Sequence, residues 1–442
     1  MMGDNILSLG ITIIELLKMT SAALIFRFVI VIIILLLIDL YTFQGLKTIV
    51  SGYRAPLKWA VYLSHWSISL VWIAFFIYGI SYFDRTMGPR GTIYMVLSAS
   101  FVLFWFPKLI FCIFLLTEDV VRHLVGLAGI ISQKINPTTT YTDFIPERRK
   151  VVSMIAFGIA SIPFAGILYG IIKGKYDYKV HKHTLYFKDL PEVFDGLTIT
   201  QLSDLHSGSF DDTEAVQRGV QMVNELKSDI FVFTGDIVNN RAEEYLPWVE
   251  IFKKIEAPLG KYSILGNHDY GEYVMWPSAN HYADNMKMLY ELHALTGFDL
   301  LNNANRIIEK DSQKLAIVGV ENWGLPPFPQ KGDLKIATQN IDNETFKILL
   351  SHDPSHWDEQ VLKHEQKIQL TLSGHTHGMQ FGIEIPGIVK WSPVKYKYPR
   401  WAGIYQVGEQ ILNVNRGFGF IGFPGRVGIW PEITHIILRR KS

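Results

Sequence analysis

A single cysteine in 442 residues, Cys112, excludes an intrachain disulfide framework and any thiolate metal cluster. Charge is also scarce: Asp, Glu, Lys and Arg make up 19% of the chain against 49% hydrophobic residues. With 42 basic and 41 acidic side chains the formal charge is only +1, which favours neither a nucleic-acid binder nor an acidic disordered tail. Internal repeats and long low-complexity runs are missing as well.

The scarcity of charge is uneven. Residues 1–174 hold 8 acidic and 14 basic side chains, whereas residues 175–442 hold 33 and 28. The near-neutral total therefore sums two unlike halves, and the chain divides into a region 1–174 and a domain 175–442. A helix crossing the hydrocarbon core needs about 20 predominantly apolar residues. Stretches 22–43, 59–83, 91–117 and 151–172 meet that length, and the second and fourth carry no Asp, Glu, Lys or Arg. They predict a four-helix transmembrane bundle. The segment 6–19, interrupted by Glu15 and Lys18, reads as an interfacial helix or an extension of the first span. Arg27 and Asp39 can snorkel from the ends of that span. Lys108, deeper and beside Pro107, reads first as half of a buried polar pair and otherwise as a functional site.

Basic residues bear on orientation. Lys47, Arg54 and Lys58 after the first span share a side with Arg122, Lys134, Arg148, Arg149 and Lys150 before the fourth. The positive-inside rule makes that side cytoplasmic and the C-terminal half extracytoplasmic, although Lys173, Lys175, Lys179 and Lys182 argue the other way. Arg148-Arg149-Lys150 before an apolar stretch also resembles a degenerate, internal twin-arginine export signal.

From about residue 176 short β runs alternate with helical patterns, as in layered α/β domains. Strands are expected at 197–202, 230–234, 262–265, 315–320, 346–350 and 368–372. Helices are expected at 213–226, 242–255, 282–295 and 356–364, with Pro247 weakening the second. Five of the six β runs lead into polar groups with metal-ligand chemistry. These are Asp204-Leu205-His206, Gly235-Asp236, Gly266-Asn267-His268-Asp269, Ser351-His352-Asp353 and Gly374-His375-Thr376-His377. Loops beyond the carboxyl ends of strands are where α/β sheets gather ligands. Carboxylate, amide and imidazole donors without thiolate suit Mn, Fe or Zn. Alternate residues such as Asp204 and His206, or His375 and His377, can aim the same way from extended backbone. Gly235, Gly266 and Gly374 permit close approach.

These five blocks, in this order, resemble the calcineurin-like metallophosphoesterases. The stretch from Gly403 through Asn415-Arg416-Gly417 to Pro431-Glu432 is similar to the YkuE/YaeI-like membrane-associated branch. The resemblance implies a four-layer α/β/β/α metallophosphoesterase domain and two divalent or trivalent metal ions. Asp204, His206 and His377 would hold one ion, Asn267, His352 and His375 the other, and Asp236 would bridge them. Such a centre activates a hydroxide and neutralises phosphate oxygens. His268 would bond the substrate or protonate the leaving group, with Asp269 orienting it. Where the family often has Gly-Gly-Gln, this chain has Gly378-Met379-Gln380. Arg400, Arg416 and Arg426 are candidate phosphate clamps, and the aromatic residues from Tyr270 to Trp276 and from Trp391 to Trp430 could line a lipid-facing mouth.

The expected activity is hydrolysis of a phosphodiester or pyrophosphate, with lipid-linked esters among the candidates. Partners are the phosphoester substrate and the bilayer, with no nucleic acid, because the acidic domain shows no Lys/Arg stripe. Three alternatives remain. A UDP-2,3-diacylglucosamine pyrophosphatase of lipid A synthesis requires a cytoplasmic site. A membrane sensor or scaffold would keep the fold without catalysis. A transporter with a soluble appendage rests only on four spans and Lys108.

Overall fold

The computed structural model describes residues 26, 28–81, 92–136, 146–385 and 387–441. The segment 6–19 and Arg27 lie outside them. Four long apolar helices come first: α1 (Phe28–Ile49), α2 (Ala55–Ser81), α3 (Thr92–Ile135) and α4 (Pro146–Ile172). The third extends well past the expected end at 117. No Gly-Pro or turn pair breaks it, Arg122 pairs with Glu118 and Asp119 on its own surface, and Pro137 follows its end.

The described residues fall into two compact units, Met1–Tyr82 with Ser100–Ala165 and Phe83–Ala99 with Gly166–Ser442. In the first unit, Phe111, Leu115, Ala156 and Ala160 form a small apolar core. Gly45 lets α1 approach closely, since a Cβ there would lie 2.6 Å from Leu115 and 2.7 Å from Phe111. Lys108 is a half-buried polar group with partners, among them the buried Asp39. Its ammonium donates to Asp39 Oδ1 and Ser69 Oγ, both at 2.7 Å, and His65 Nε2 stands 3.1 Å from the Asp39 carbonyl.

Among the described residues the second unit contains fourteen strands, β1 to β14 in chain order. The first sheet runs β1 (Lys179–Phe187), β14 (Glu432–Arg440), β2 (Thr198–Leu202), β3 (Ile230–Thr234), β4 (Lys261–Ile264) and β5 (Asp299–Leu300). The other runs β12 (Gly403–Val407), β13 (Gln410–Val414), β9 (Leu370–Ser373), β8 (Phe346–Leu350), β7 (Gln313–Gly319) and β6 (Ala304–Lys310). A separate hairpin pairs β10 (Ile383–Ile385) with β11 (Val389–Trp391). Strand β3 shows why the sheets stack. Ile230 and Val232 join Ile199, Ile264, Ile348 and Leu370 in a core shared with the second sheet. Phe231 and Phe233 point the other way, under α5 (Thr213–Glu225), α6 (Val249–Phe252) and α7 (Ala279–Thr296). On the far side α8 (Leu334–Ala337) and α9 (Ser355–Glu359) cover Val318, Leu349 and Leu412. The layers are α/β/β/α, as the resemblance implied.

Local chemistry explains the helix ends. Asp212 accepts from Ala215 N at 2.9 Å to cap α5, and Gly297 at φ +78° ends α7. The helix expected over 242–255 is instead a 3₁₀ segment, Ala242–Trp248, followed by the short α6. Pro247 lacks the N–H that a continuous α-helix would use. The helix expected over 356–364 stops at Glu359 and resumes as a 3₁₀ turn, Val361–Lys363.

The Asp39–Lys108 pair makes a stability prediction. Asp39→Leu leaves a half-buried ammonium without its carboxylate and should cost about 1–3 kcal/mol, read as a lower unfolding temperature in detergent. The double variant Asp39→Leu/Lys108→Met should recover most of that loss. Equal damage in both would show that the charges do not act as a pair.

Candidate metal centre

The expected ligands converge from both sheets. Asp204 and His206 follow β2, Asp236 follows β3, and Asn267 and His268 follow β4; His352 follows β8, and His375 and His377 follow β9. Three groups have ligand atoms within 4.8 Å of one another: Asp204 with His206 and His377, His206 with Asp236 and His268, and Asp236 with His352 and His375. Asp236 Oδ2 stands 3.5 Å from His206 Nε2 and 3.1 Å from His352 Nε2. It therefore lies between the two sets. Asn267 Oδ1 is 2.8 Å from His375 Nδ1, and its amide Nδ2 donates to the Tyr273 hydroxyl at 2.9 Å.

The backbone that achieves this is not extended, contrary to the expectation. Asp204, His206, Asp236, His375 and His377 all have positive φ, between +47° and +71°. The strands end before these residues, and left-handed turns then fold their side chains back over the sheet edges. Such conformations cost of order 1–3 kcal/mol each. Two glycines make room. A Cβ on Gly235, itself at φ +94°, would come within 2.6 Å of Gly266 N, and one on Gly374 would meet Ser203 Oγ at 1.9 Å and Asp204 Oδ2 at 2.2 Å.

Electrostatics favour cations here. Burial pushes the Asp204 carboxyl up, but the imidazoles of His377 and His352 outweigh it and hold Asp204 well below the usual range. Burial likewise opposes the Asp236 carboxylate, and His352, His268 and His206 reverse it. Burial pulls the His352 imidazole down, yet Asp236 and Asp204 raise it to about 10. Both ring nitrogens of His206 and Nε2 of His377 are buried without a hydrogen-bond partner among the described residues. Buried polar atoms are rarely left so. A divalent cation would take the place of imidazole protons facing the same carboxylates. The donor set thus fits hard or borderline metals.

Several supporting residues were not among the sequence candidates. The Thr234 carbonyl accepts from His352 Nδ1 at 2.7 Å, which turns Nε2 toward Asp236. Tyr398 OH lies 2.8 Å from His375 Nε2, and Asp353 Oδ2 lies 3.4 Å from the same atom. Asp353 was legible only as the residue after His352; Tyr398 had no signal beyond its aromatic stretch. Asp269 does not orient His268. Its carboxylate accepts from the backbone N–H groups of Asp236, Ile237 and Gly266 at 2.8 Å and of Val238 at 3.3 Å, bracing the Asp236 loop. His268 instead donates from Nδ1 to the Asn239 carbonyl at 3.0 Å.

The arginines expected to clamp phosphate have other partners. Arg400 pairs with Asp358 at 2.9 Å and stacks on Trp357. Arg416, buried, pairs with Glu432 at 2.5 Å and Glu384 at 2.6 Å. Arg426, fully buried, donates to the carbonyls of Gly419, Arg416 and Gly417, and its Nη2 stands 3.1 Å from His377 Nδ1. The aromatic wall is also mostly core, because Phe418, Phe420, Tyr398 and Trp401 are buried, whereas Tyr396 is exposed.

Known proteins share both regions. Residues 24–175 match the family model "Probable Calcineurin-like phosphoesterase, transmembrane domain", and residues 197–379 match "Calcineurin-like phosphoesterase". The metallophosphoesterase YkuE of Bacillus subtilis is 31% identical over 264 residues, 59% of this chain and 85% of that protein. A transmembrane protein with metallophosphoesterase domain from Danio rerio is 29% identical over 301 residues, 66% of this chain and 63% of its own length. The UDP-2,3-diacylglucosamine pyrophosphatase LpxG of Chlamydia trachomatis is 28% identical over 279 residues, 52% of this chain and 81% of that protein.

Two substitutions probe this construction. Gly374→Ala drives a methyl group into Asp204 and should weaken metal binding roughly 10–100-fold, as disturbed support of a ligand does; elemental analysis after dialysis reads it. Glu432 is held down to about 2 because Arg416 outweighs burial. Its pairing therefore stabilises the fold fully above the unfolded carboxyl value near 4.5, and that contribution drains away as pH falls toward 2. Glu432→Gln should lower the unfolding temperature at pH 7 and flatten its fall between those values; an unchanged acid limb would refute the pairing.

Proposed function

The chain belongs to the calcineurin-like metallophosphoesterases, and on that premise we propose that it hydrolyses a phosphodiester or pyrophosphate at a two-metal centre beside the membrane. A membrane protein with a metal-dependent phosphoester hydrolase domain is the shared core of this reading. The convergence of buried carboxylates and partnerless imidazoles from both sheets carries the rest. We take 1–174 as the membrane region and 175–442 as the catalytic domain.

In this reading Asp204, His206 and His377 hold one ion, Asn267, His352 and His375 the other, and Asp236 both. Bound Mn, Fe or Zn supplies an activated water and positive charge for the phosphoryl oxygens. The protein's own work is positional. The Thr234 carbonyl sets the His352 ring, Tyr273 turns the Asn267 amide, and Asp269 braces the loop that carries Asp236. His268, held at Nδ1 by the Asn239 carbonyl, is the residue we assign to bond a phosphoryl or leaving-group oxygen and to carry a proton there. Arg426 positions His377 rather than touching phosphate.

The relative LpxG supports a narrower second reading, UDP-2,3-diacylglucosamine hydrolysis. Our favoured orientation, with the catalytic domain extracytoplasmic, opposes it. A reporter fused after Ser442 that is active only outside the cytoplasm would remove this reading.

The central test uses the full chain in detergent with bis(p-nitrophenyl) phosphate. Hydrolysis should require metal, stop with EDTA and return with Mn²⁺, and metal analysis should find about two ions per chain. Asp236→Asn should cost on the order of a hundredfold or more in kcat. No hydrolysis of diester, monoester or lipid substrates by metal-loaded protein would favour a scaffold that merely keeps the fold.

A further inference from the structure

The hairpin β10–β11 breaks the usual rule for an exposed ribbon. Alternation along β10 sends Glu384 inward, where it meets the Arg416 guanidinium at 2.6 Å, and leaves Ile383 and Ile385 exposed on the other face. Across the turn Val389 pairs with Ile385 and is exposed too, and Ile388 at the tip is 80% exposed. On the loops either side of the hairpin Tyr396 is 78% exposed and Met379 60% exposed. An ion pair thus holds the hairpin while its apolar side faces outward. Large apolar side chains gathered on an exposed face mark an interaction site.

Met379 sharpens the point. It has φ +54°, a left-handed conformation that favours glycine, and it follows the candidate ligand His377 by two residues. A large apolar side chain is kept there, exposed, despite the backbone strain. The foot of the hairpin belongs to the same loop, since Ser392 Oγ donates to the Gly378 carbonyl at 2.7 Å.

The occupant follows from what the hairpin is tied to. Gly382, just before β10, donates to the Val427 carbonyl at 2.9 Å, and the neighbouring Arg426 N donates to the Gly170 carbonyl at 3.2 Å. Gly170 lies two residues from the end of α4, an apolar span that runs Arg148–Ile172. Two backbone hydrogen bonds therefore connect the hairpin's base to the membrane exit of a transmembrane helix, all within one compact unit. Exposed Lys395 and Lys397 flank Tyr396, with their ammoniums over the Tyr396 and Tyr398 rings. Apolar tip, tyrosine and lysines together suit an interface between acyl chains and anionic headgroups.

We propose that β10–β11 inserts into the bilayer beside the metal centre, and that the centre takes a phosphoester whose apolar tail stays in the membrane. The substrate half rests on the phosphoesterase reading; the insertion half does not.

The lone native cysteine makes insertion measurable. Full-length Cys112→Ser/Ile388→Cys, labelled with an environment-sensitive nitrobenzoxadiazole dye, is placed in nanodiscs of phosphatidylcholine and phosphatidylglycerol. Lipids carrying a nitroxide high on the acyl chain should quench this dye strongly and leave the same dye at Glu309→Cys, an exposed position on β6, in a water-like environment. Equal quenching at both sites, or none at Ile388→Cys, overturns the insertion, including the case in which a protein partner covers the patch. For the substrate half, the unlabelled chain is given hexadecyl p-nitrophenyl phosphate in the same nanodiscs. Ile388→Asp should slow this reaction about tenfold, the loss expected when one isoleucine no longer partitions. Its turnover of soluble bis(p-nitrophenyl) phosphate should remain that of the parent. Equal effects on both esters overturn the lipid assignment. Failure of the parent on the soluble diester would sink the phosphoesterase reading, while the quenching result still judges insertion.

Discussion

The structure depends on two buried negative charges that only imidazoles and cations can tolerate. Asp204 and Asp236 are shielded from water, and among the described residues no Lys ammonium or Arg guanidinium pairs with either carboxylate. Ionised carboxylates in such surroundings are unstable unless neutralised. Their partners are histidines, delivered from both sheets. The two stacked sheets bring strand ends from distant parts of the chain to one edge. This charge arrangement also explains the loops. Each candidate ligand sits just past a strand end, five of the seven in left-handed backbone, and the cost is spread over structure that is elsewhere well packed.

That strain needs bracing, and the braces are polar rather than apolar. Asp269 uses its carboxylate on four backbone N–H groups, so the loop bearing Asp236 cannot relax without exposing a buried charge. Gln201 plays a similar part between the sheets, donating to the Ser373 carbonyl at 2.9 Å and accepting from Asn413 at 2.8 Å. Low local dielectric makes such networks expensive to break. The site is thus rigid because of its polar surroundings.

Much of this was visible in the residue order. Strand ends followed by Asp, Asn and His put the candidate ligands just past β2, β3, β4, β8 and β9, where they are found, because short β runs and their loops are local patterns. The helix over 242–255 failed for a local reason too, since Pro247 was present but its 3₁₀ outcome depends on packing of Tyr245 and Trp248. What could not be read were pairings set by tertiary structure. β14 inserts between β1 and β2, from opposite ends of the domain, and no spacing rule announces it. Arg416 looked like an anion clamp because its two glutamate partners lie 32 and 16 residues away. Asp269 looked like a partner of the adjacent His268, yet sequence neighbours in a loop often point apart.

Arg426 shows how membrane and metal regions can share one mechanical element. A guanidinium offers five donors in a fixed plane. Here Nε and Nη2 face the carbonyls of residues 416, 417 and 419, and Nη2 also reaches His377. The same residue's backbone N–H bonds to Gly170, where a Cβ would collide with the Arg426 carbonyl at 2.5 Å. The end of α4 and the loop that holds His377 therefore meet at one residue, through the Arg426 backbone on one side and its Nε and Nη2 on the other. The same loop carries the hairpin's anchor at Val427. Within this one compact unit, residues 166–172 at the end of α4 thus belong to the support of a candidate metal ligand, because Gly170 bonds the residue whose side chain reaches His377.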